Sequence, residues 1–232
     1  MSYANGPRIV TDGLVLDLDA TNKKSYSGSG TSWNDISGNG GSAILTNGPT
    51  FNSQNGGSFV FDDSDDYARF TRSDLNAGSF AYSSITCFLW FYQTGGTGDT
   101  SNNLITVENS WELSTGNLGN GYSSLSYASN PWAWYGTTNS VVTNNAWNMI
   151  TFVHNAAGGR YLYVNGTQVF YRSDSGGLNA GSNYPYLTLM GRYGGTTNNA
   201  GGRLAKVQIY NRVFTTTEIL QNYNALKGRF GL

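Results

Sequence analysis

Short apolar segments, separated by turns rich in glycine, asparagine and serine, run along almost the whole chain. Ser84–Tyr92 is apolar at nearly every position and rich in β-branched and aromatic residues, so it predicts a strand buried on both faces. Ala146–His154 predicts a second long strand. Arg160–Tyr171 is divided by Asn165 and Gly166, the dipeptide typical of a type I′ hairpin turn. This pattern indicates an all-β fold built from many antiparallel strands.

Weaker apolar segments extend this pattern. Strands are predicted at Leu14–Leu18, Ser124–Tyr127, Leu187–Met190 and Ala205–Tyr210, and Leu104–Val107 with Trp111–Leu113 is either a strand pair or one bent strand. Asn130–Gly136 is aromatic but contains Pro131, which has no backbone donor, so it is interpreted as an edge strand or a loop.

One short helix is predicted near the C-terminal end. Thr215 and Glu218 have the spacing of a capping box, in which each side chain hydrogen-bonds the backbone amide of the other residue. An apolar face follows at helical spacing, formed by Ile219, Tyr223 and Leu226. Gly228 is expected to end the helix, because glycine suits the left-handed position after a helix.

The stretch Phe59–Phe70 carries an unusual concentration of charge. Its flanks alternate apolar residues, which predicts strand, turn and strand. The turn contains four of the few acidic residues of the chain, namely Asp62, Asp63, Asp65 and Asp66. Such a cluster repels itself unless a hydrogen-bonded turn, a basic partner or a hard cation relieves it.

Composition narrows the class of protein. The 232 residues include 14% aromatic and only 12% charged residues, with a net charge of −1. The sequence contains no run of Lys or Arg, so its composition does not favour nucleic-acid binding. No apolar stretch approaches the roughly 18 residues of a membrane helix. The single cysteine, Cys87, excludes an internal disulfide and is expected in the core. Met1–Val10 lacks the features of a signal peptide, so synthesis in a host cytoplasm is expected.

Several segments together resemble the concanavalin A-like lectin/glucanase superfamily, in its laminin-G-like jelly-roll branch. These segments occur in the same order along the chain as in the family, and the helix that contains Glu218 follows them. They are Gly13–Leu18, Trp33–Gly40, Leu45–Thr50, Gly57–Tyr67, Ile85–Tyr92, Trp147–Val153, Leu162–Gly166 and Val207–Arg212. The resemblance implies an antiparallel two-sheet jelly-roll sandwich with one short C-terminal helix. We expect an N-terminal extension at residues 1–12 and a single domain at residues 13–232. The fold supports binding modules, adhesion modules and some glycosidases, so it does not decide the function.

The two ends of the chain resemble structural proteins of tailed bacteriophages. The segments concerned are Gly6–Val10 and Leu220–Phe230. This resemblance implies a non-enzymatic virion structural protein, either a capsid decoration or a tail component, located in the virion. Its expected partners are other virion proteins and cell-surface glycans, without membrane insertion. Two alternatives stay open, a dedicated carbohydrate-binding adhesion module and, more remotely, a glycoside hydrolase.

The glycosidases of this superfamily carry the pattern Glu-x-Asp-x-Glu on one strand. The nearest match runs from Glu108 to Glu112, with Ser110 in place of the central acid. On a strand the two Glu Cα atoms would lie about 13 Å apart, whereas a retaining pair needs carboxyls about 5–5.5 Å apart. We therefore interpret both as solvated strand acids around Trp111. His154 has no partners at the spacing of a catalytic triad, so an enzyme is not expected.

Many relatives in the superfamily hold a structural Ca²⁺ through loop oxygens. The corresponding candidates are Asp35, Asn39, Asp65 and Asp66, because hard oxygen ligands suit Ca²⁺. The family often has Asp-Glu just before the last strand, where this chain has Ala205 and Lys206. Lys206 is therefore an alternative partner for the acidic turn. The turn is interpreted first as structural, with bound Ca²⁺ as the second hypothesis and no cofactor required.

Aromatic residues in loop-like segments are the candidates for glycan binding. They are Trp111, Trp132, Trp134, Tyr135, Tyr184 and Tyr186, with Asn, Gly and Thr around them. Trp132 and Trp134 would share one face if extended, which could form a stacking platform for sugars. Trp and Tyr also fill sandwich cores and protein interfaces, and both alternatives remain open.

Overall fold

The computed structural model describes residues 7–71, 80, 82–94, 102–108, 110–116, 118, 124–129, 133–174, 178 and 187–232. The strands within these ranges are β1 Leu14–Asp19, β2 Ser32–Asn34, β3 Ser42–Thr46, β4 Thr50–Asn52, β5 Ser58–Asp62, β6 Tyr67–Thr71, β7 Ser84–Gln93, β8 Asn102–Val107, β9 Trp111–Thr115, β10 Leu125–Ser129, β11 Ala133–Gly136, β12 Ala146–Asn155, β13 Gly159–Val164, β14 Thr167–Arg172, β15 Leu187–Leu189 and β16 Gly201–Tyr210. The α-helix α1 spans Thr216–Leu226 and continues into a 3₁₀ turn at Lys227–Phe230. No helix in this part of the chain is long and apolar enough to cross a membrane.

The strands form two antiparallel sheets that pack face to face. Sheet A has the order β14-β13-β12-β7-β16-β5-β4, with β1 also paired to β16, and sheet B has the order β11-β10-β9-β8-β15-β6-β3-β2. We call the face that each sheet turns to the other its inner face. This architecture confirms the predicted two-sheet jelly-roll sandwich with one short C-terminal helix.

Two apolar cores lie on opposite faces of sheet A. The larger core fills the space between the sheets, and the smaller one lies under α1 and the 3₁₀ turn. Strand β7 contributes to both, with Leu89 in the larger core and Trp90 in the smaller. This confirms the prediction that Ser84–Tyr92 is buried on both faces. Cys87 is fully buried in the larger core, where burial raises the pKa of its thiol.

Local turn and cap chemistry behaves largely as predicted. Asn165 and Gly166 both have positive φ, 52° and 80°, as the type I′ turn between β13 and β14 requires. The capping box of Thr215 and Glu218 is complete. The α-helix ends at Leu226, so Gly228 takes the predicted position after the cap residue Lys227, but it does not adopt the expected left-handed conformation. The chain continues as the 3₁₀ turn, and the left-handed glycine is Gly231, with φ 76°.

The reason for this extension lies in the contacts of the turn. Phe230 stacks on Trp90 with ring centroids 4.1 Å apart. Arg229 Nη1 lies 2.9 Å from Asp19 Oδ1 on β1. These contacts with sheet A outweigh the local preference of Gly228 for the left-handed conformation.

Candidate functional site

Strand β11, at the edge of sheet B, directs two of the predicted aromatic residues to opposite faces. Trp134 pairs with Ala128 of β10, which pairs in turn with Glu112 of β9, so these three side chains share the outer face. Tyr135 pairs with Tyr127, and their rings meet at the core with centroids 5.8 Å apart. Trp134 is partly exposed and belongs to neither apolar core of the described residues. Trp134 is therefore the better placed of the two to contact a ligand.

The surroundings of Trp134 on β10 and β11 consist of small residues. Ala128 lies directly opposite, and Ser126 pairs with Gly136 one step along the same face. A Cβ on Gly136 would approach the carbonyl oxygen of Leu125 to 2.2 Å, so a larger residue does not fit there. The indole ring therefore has no bulky side chain opposite it on β10.

The other predicted aromatic positions do not join this surface. Trp111 is fully buried in the larger core, where its Nε1 donates to the carbonyl oxygen of Phe80 at 3.0 Å. Its ring fills the space between the sheets, as the core alternative proposed. Trp132, Tyr184 and Tyr186 lie outside the described residues.

Glu108 and Glu112 are buried, which corrects their interpretation as solvated acids. Their exposed fractions are 1% and 0%. Glu112 lies 2.8 Å from Arg192 Nη2 and also accepts a hydrogen bond from Asn103 Nδ2. Glu108 accepts the backbone N–H of Tyr193. Both carboxylates therefore tie the turn at residues 191–197 to β8 and β9.

Burial makes this carboxylate pair hard to ionise. The pKa of Glu112 is raised to about 7, chiefly by burial and to a smaller extent by the charge of nearby Glu108. Arg192 and Asn103 oppose the rise. Burial also raises the pKa of Glu108. Both acids have Arg192 as a nearby cation, so protonation of one of them relieves the excess negative charge.

The turn that these acids anchor presents an aromatic ring to solvent. Tyr193 is 41% exposed, and its φ of 51° is uncommon for a non-glycine residue. The guanidinium carbon of Arg192 lies 4.5 Å from the centre of the Tyr193 ring. Gly195 lies so close to Tyr67 that a Cβ there would approach the ring to 2.0 Å. Sequence reasoning missed Arg192 and Tyr193, whose only local signal is an Arg-Tyr pair before two glycines.

The acidic turn forms a compact group of carboxylates. One oxygen from each of Asp62, Asp65 and Asp66 lies within 4.8 Å of the others. Asp62 Oδ1 accepts from the backbone N–H of Ser64 at 2.9 Å, and Asp63 Oδ1 accepts from Gly201 N at 3.1 Å. Burial, followed by the charge of Asp62, raises the pKa of Asp66 to about 6. The hydrogen-bonded turn is therefore present, and its crowded carboxylates have the chemistry of a hard-cation site.

The other two metal candidates belong to a different loop. Asp35 Oδ1 accepts the backbone N–H groups of Asp17 at 2.8 Å and of Ser37 at 2.9 Å. Asn39 Nδ2 donates to Ser37 Oγ at 2.9 Å. Among the described residues, the carboxylate group of the acidic turn does not include Asp35.

The alternative pairing of Lys206 with the acidic turn is wrong. Lys206 Nζ lies 2.5 Å from Asp17 Oδ1 and 3.0 Å from Asp19 Oδ2, because β16 pairs with β1. All three groups are largely buried, and this ion cluster joins the first strand to the last one.

Comparison with known proteins gives a family and several similar folds. Residues 62–220 match a laminin-G family model described as "Concanavalin A-like lectin/glucanases superfamily". No curated protein has a matching sequence.

Similar solved structures include binding domains of toxins. The binding domain of botulinum neurotoxin DC in complex with SialylT has a TM-score of 0.67 and 15% identity, over 94% of this chain and 52% of that one. The binding domain of Paraclostridial Mosquitocidal Protein 1 has a TM-score of 0.67 and 17% identity, over 93% and 52%. A structure of botulinum neurotoxin type C, described as dependent for cell entry on two ganglioside molecules, has a TM-score of 0.68 and 14% identity, over 94% and 52%. The chain thus spans about half the length of these structures.

Proposed function

Because the chain belongs to the concanavalin A-like lectin/glucanases superfamily, we propose that it is a non-enzymatic carbohydrate-binding module. The observation that carries the proposal is Trp134, a partly exposed indole on the outer face of sheet B that neither core uses. Sugars bind flat aromatic faces accompanied by a few polar groups. The ganglioside and SialylT named for two similar structures support a glycan as the ligand class.

The buried acids support the non-enzymatic part of the proposal. A glycosidase needs one carboxyl free to protonate the leaving group and a second to act as nucleophile or base. Glu108 and Glu112 instead accept hydrogen bonds from Tyr193 and Asn103, and Glu112 pairs with Arg192. Their contacts hold a turn, and their buried positions leave no open carboxyl at this pair.

A glycan array probed with the purified chain and with Trp134→Ala tests this proposal. We expect binding by the native chain and its loss in the variant, because the stacking face is removed. Tyr171→Ala is the matched control, since Tyr171 is 47% exposed but lies on β14 at the edge of sheet A. Equal binding by native chain and Trp134→Ala, or no glycan bound by the native chain, would contradict the proposal.

A second candidate function is a structural role in a bacteriophage virion, as a capsid decoration or tail component. The supporting observation is that the two terminal segments with this resemblance contact each other. Gln221 Nε2 donates to the carbonyl oxygen of Arg8, and the backbone N–H of Val10 donates to Asn222 Oδ1, both at 2.8 Å. The assembly role predicts stoichiometric copies in purified particles, detected by quantitative mass spectrometry. Particles without the chain would end this candidate.

We also propose a structural Ca²⁺ at the acidic turn. Three clustered carboxylates and the raised pKa of Asp66 support it, because a divalent cation would relieve their mutual repulsion. Added Ca²⁺ should raise the melting temperature of the native chain, and a chelator should reverse the effect. Asp65→Asn should reduce this response. The same melting temperature with Ca²⁺ and with chelator would reject the site.

A further inference from the structure

At one end of the sandwich, the inner face of sheet A changes from apolar to cationic. Phe152, Leu162 and Phe170 form a cross-strand row in the larger core. Two residues further along these strands, the next row on the same face is His154, Arg160 and Arg172. We call the group His154, Arg160, Arg172, Asp174 and Tyr135 the sandwich mouth.

The charges at the sandwich mouth do not balance. Arg160 and Arg172 lie directly opposite each other on antiparallel strands, an arrangement that is destabilising for like charges unless it is relieved. Asp174 pairs with Arg160 and lies 3.4 Å from Arg172 Nε. Arg160 is nearly buried, and its Nε donates to His154 Nδ1 at 3.1 Å, so that nitrogen of His154 carries no proton. Among the described residues of the sandwich mouth, two guanidinium groups therefore share one carboxylate, which leaves one excess positive charge.

Arg172 is the open member of this group. Its side chain is 41% exposed, and its guanidinium carbon lies 3.6 Å from the centre of the Tyr135 ring. It donates no hydrogen bond to any residue in the described ranges. Tyr135 lies on β11 of sheet B and Arg172 on β14 of sheet A, so the stacked pair joins the last described strands of the two sheets. The aromatic ring orients a planar group whose terminal N–H donors point away from it.

We propose that Arg172, stacked on Tyr135, binds the carboxylate of an acidic sugar residue and makes the module selective for acidic glycans. The inference rests on the proposed carbohydrate-binding function and names its ligand class. A planar guanidinium matches a carboxylate through two parallel hydrogen bonds. The single excess positive charge suits a monoanionic carboxylate better than a doubly charged phosphate. Trp134 and Tyr135 are neighbours on β11 but point to opposite faces of sheet B, so the acidic sugar residue at Arg172 and a sugar ring on Trp134 would be different residues of one saccharide that passes around this edge strand.

Calorimetric titration of the full chain with sialyllactose, trigalacturonate and lactose tests the inference. These probes distinguish a sialic acid from a uronic acid as the source of the carboxylate. We expect at least one acidic probe to bind more tightly than lactose, and its affinity to fall with added salt because the contact is ionic. Arg172→Ala should weaken acidic binding about tenfold, the effect of losing a charge-assisted hydrogen-bond pair, and leave lactose binding unchanged.

Two further variants test whether binding depends on the planar guanidinium of Arg172 in particular. Arg172→Lys keeps the charge but loses the planar fork, so it should also weaken binding of the acidic probe. Arg203→Ala is the matched control, because Arg203 is likewise stacked on a tyrosine, 4.9 Å from the ring centre of Tyr92, at a different place on sheet A. Its affinities should equal those of the native chain. Melting curves of all variants verify that each one folds.

The outcomes separate this inference from the proposed function. Native affinities that are equal for lactose and both acidic probes, or that do not change in the Arg172 variants, overturn the acidic-sugar inference and leave the carbohydrate-binding proposal standing. Binding of no saccharide overturns both. A competition experiment with a peptide that has a free carboxyl terminus tests a protein ligand. If this peptide displaces the bound acidic probe at a lower concentration than the unlabelled sugar does, the saccharide assignment is overturned in favour of a protein ligand.

Discussion

Replacing Glu112 by glutamine removes a buried carboxylate whose ionisation opposes folding. The ordinary pKa of glutamate is 4.5, and burial raises that of Glu112 to about 7. Between these values the folded chain retains a proton that the unfolded chain has released. The folded state therefore binds more protons, and the free energy of unfolding must fall as the pH rises through this window. Below the window both states are protonated at this residue, and above it both are ionised.

The magnitude follows from the difference between the two pKa values. It corresponds to about 3 kcal/mol of unfolding free energy, lost between about pH 4.5 and about pH 7. Glutamine has nearly the shape of a protonated glutamic acid and can still accept from Arg192. The Glu112→Gln variant should therefore be more stable than the native chain near pH 8, by about 3 kcal/mol, and similar to it near pH 4.5.

Urea unfolding followed by tryptophan fluorescence across this pH range measures the difference. Ionisable groups other than the neighbouring Glu108 contribute equally to both chains, so subtraction isolates the coupled pair Glu108 and Glu112. Glu218→Gln is the matched control, because the hydrogen bond from Arg212 lowers the pKa of Glu218 to about 2. Its stabilisation is complete above about pH 5 and is lost only at more acidic pH, so its curve should run parallel to that of the native chain. Parallel curves for Glu112→Gln as well would refute the reasoning.

Two other substitutions test buried contacts that hold distant parts of the chain together. Lys206→Met should destabilise the chain by roughly 3–5 kcal/mol in urea unfolding, because it leaves buried Asp17 without its nearest cation; a loss below about 1 kcal/mol would show that this pair is not needed. Gly195→Ala should destabilise by about 1–3 kcal/mol, because φ is +89° and the new Cβ would meet the Tyr67 ring. Gly228→Ala has no atom within 4 Å of the new Cβ and should change the melting temperature little by comparison.

The parts of the fold that the sequence predicted are those encoded by neighbouring residues. The hairpin at Asn165 and Gly166 depends on two adjacent residues with positive φ, and the capping box on Thr215 and Glu218. The double burial of Ser84–Tyr92 is visible because both faces of the strand are apolar.

The site was less predictable because its contacts are distant in sequence. Alternation along β9 places Glu112 on the outer face of sheet B, which favours a solvated interpretation. In the folded chain, a turn about 80 residues away packs against it. Arg192 of this turn contacts Glu112, and Tyr193 contacts Glu108. The pairing of Lys206 with Asp19 likewise depends on the register of the first strand against the last. Register between distant strands is set by packing, which local patterns do not contain.

The allocation of aromatic residues between the sheets limits where a ligand can bind. On the outer face of sheet A, Trp90, Trp147 and Phe230 pack together beneath the C-terminal helix and its 3₁₀ turn. Their stacking faces are occupied by one another, so they are not available to a sugar. On β11 of sheet B, in contrast, Trp134 lies opposite small residues and Tyr135 holds a guanidinium from the other sheet. Strand β11 therefore carries an aromatic face on its outer side and holds a guanidinium of β14 on its inner side, and ligand binding at either place requires no displacement of the helix.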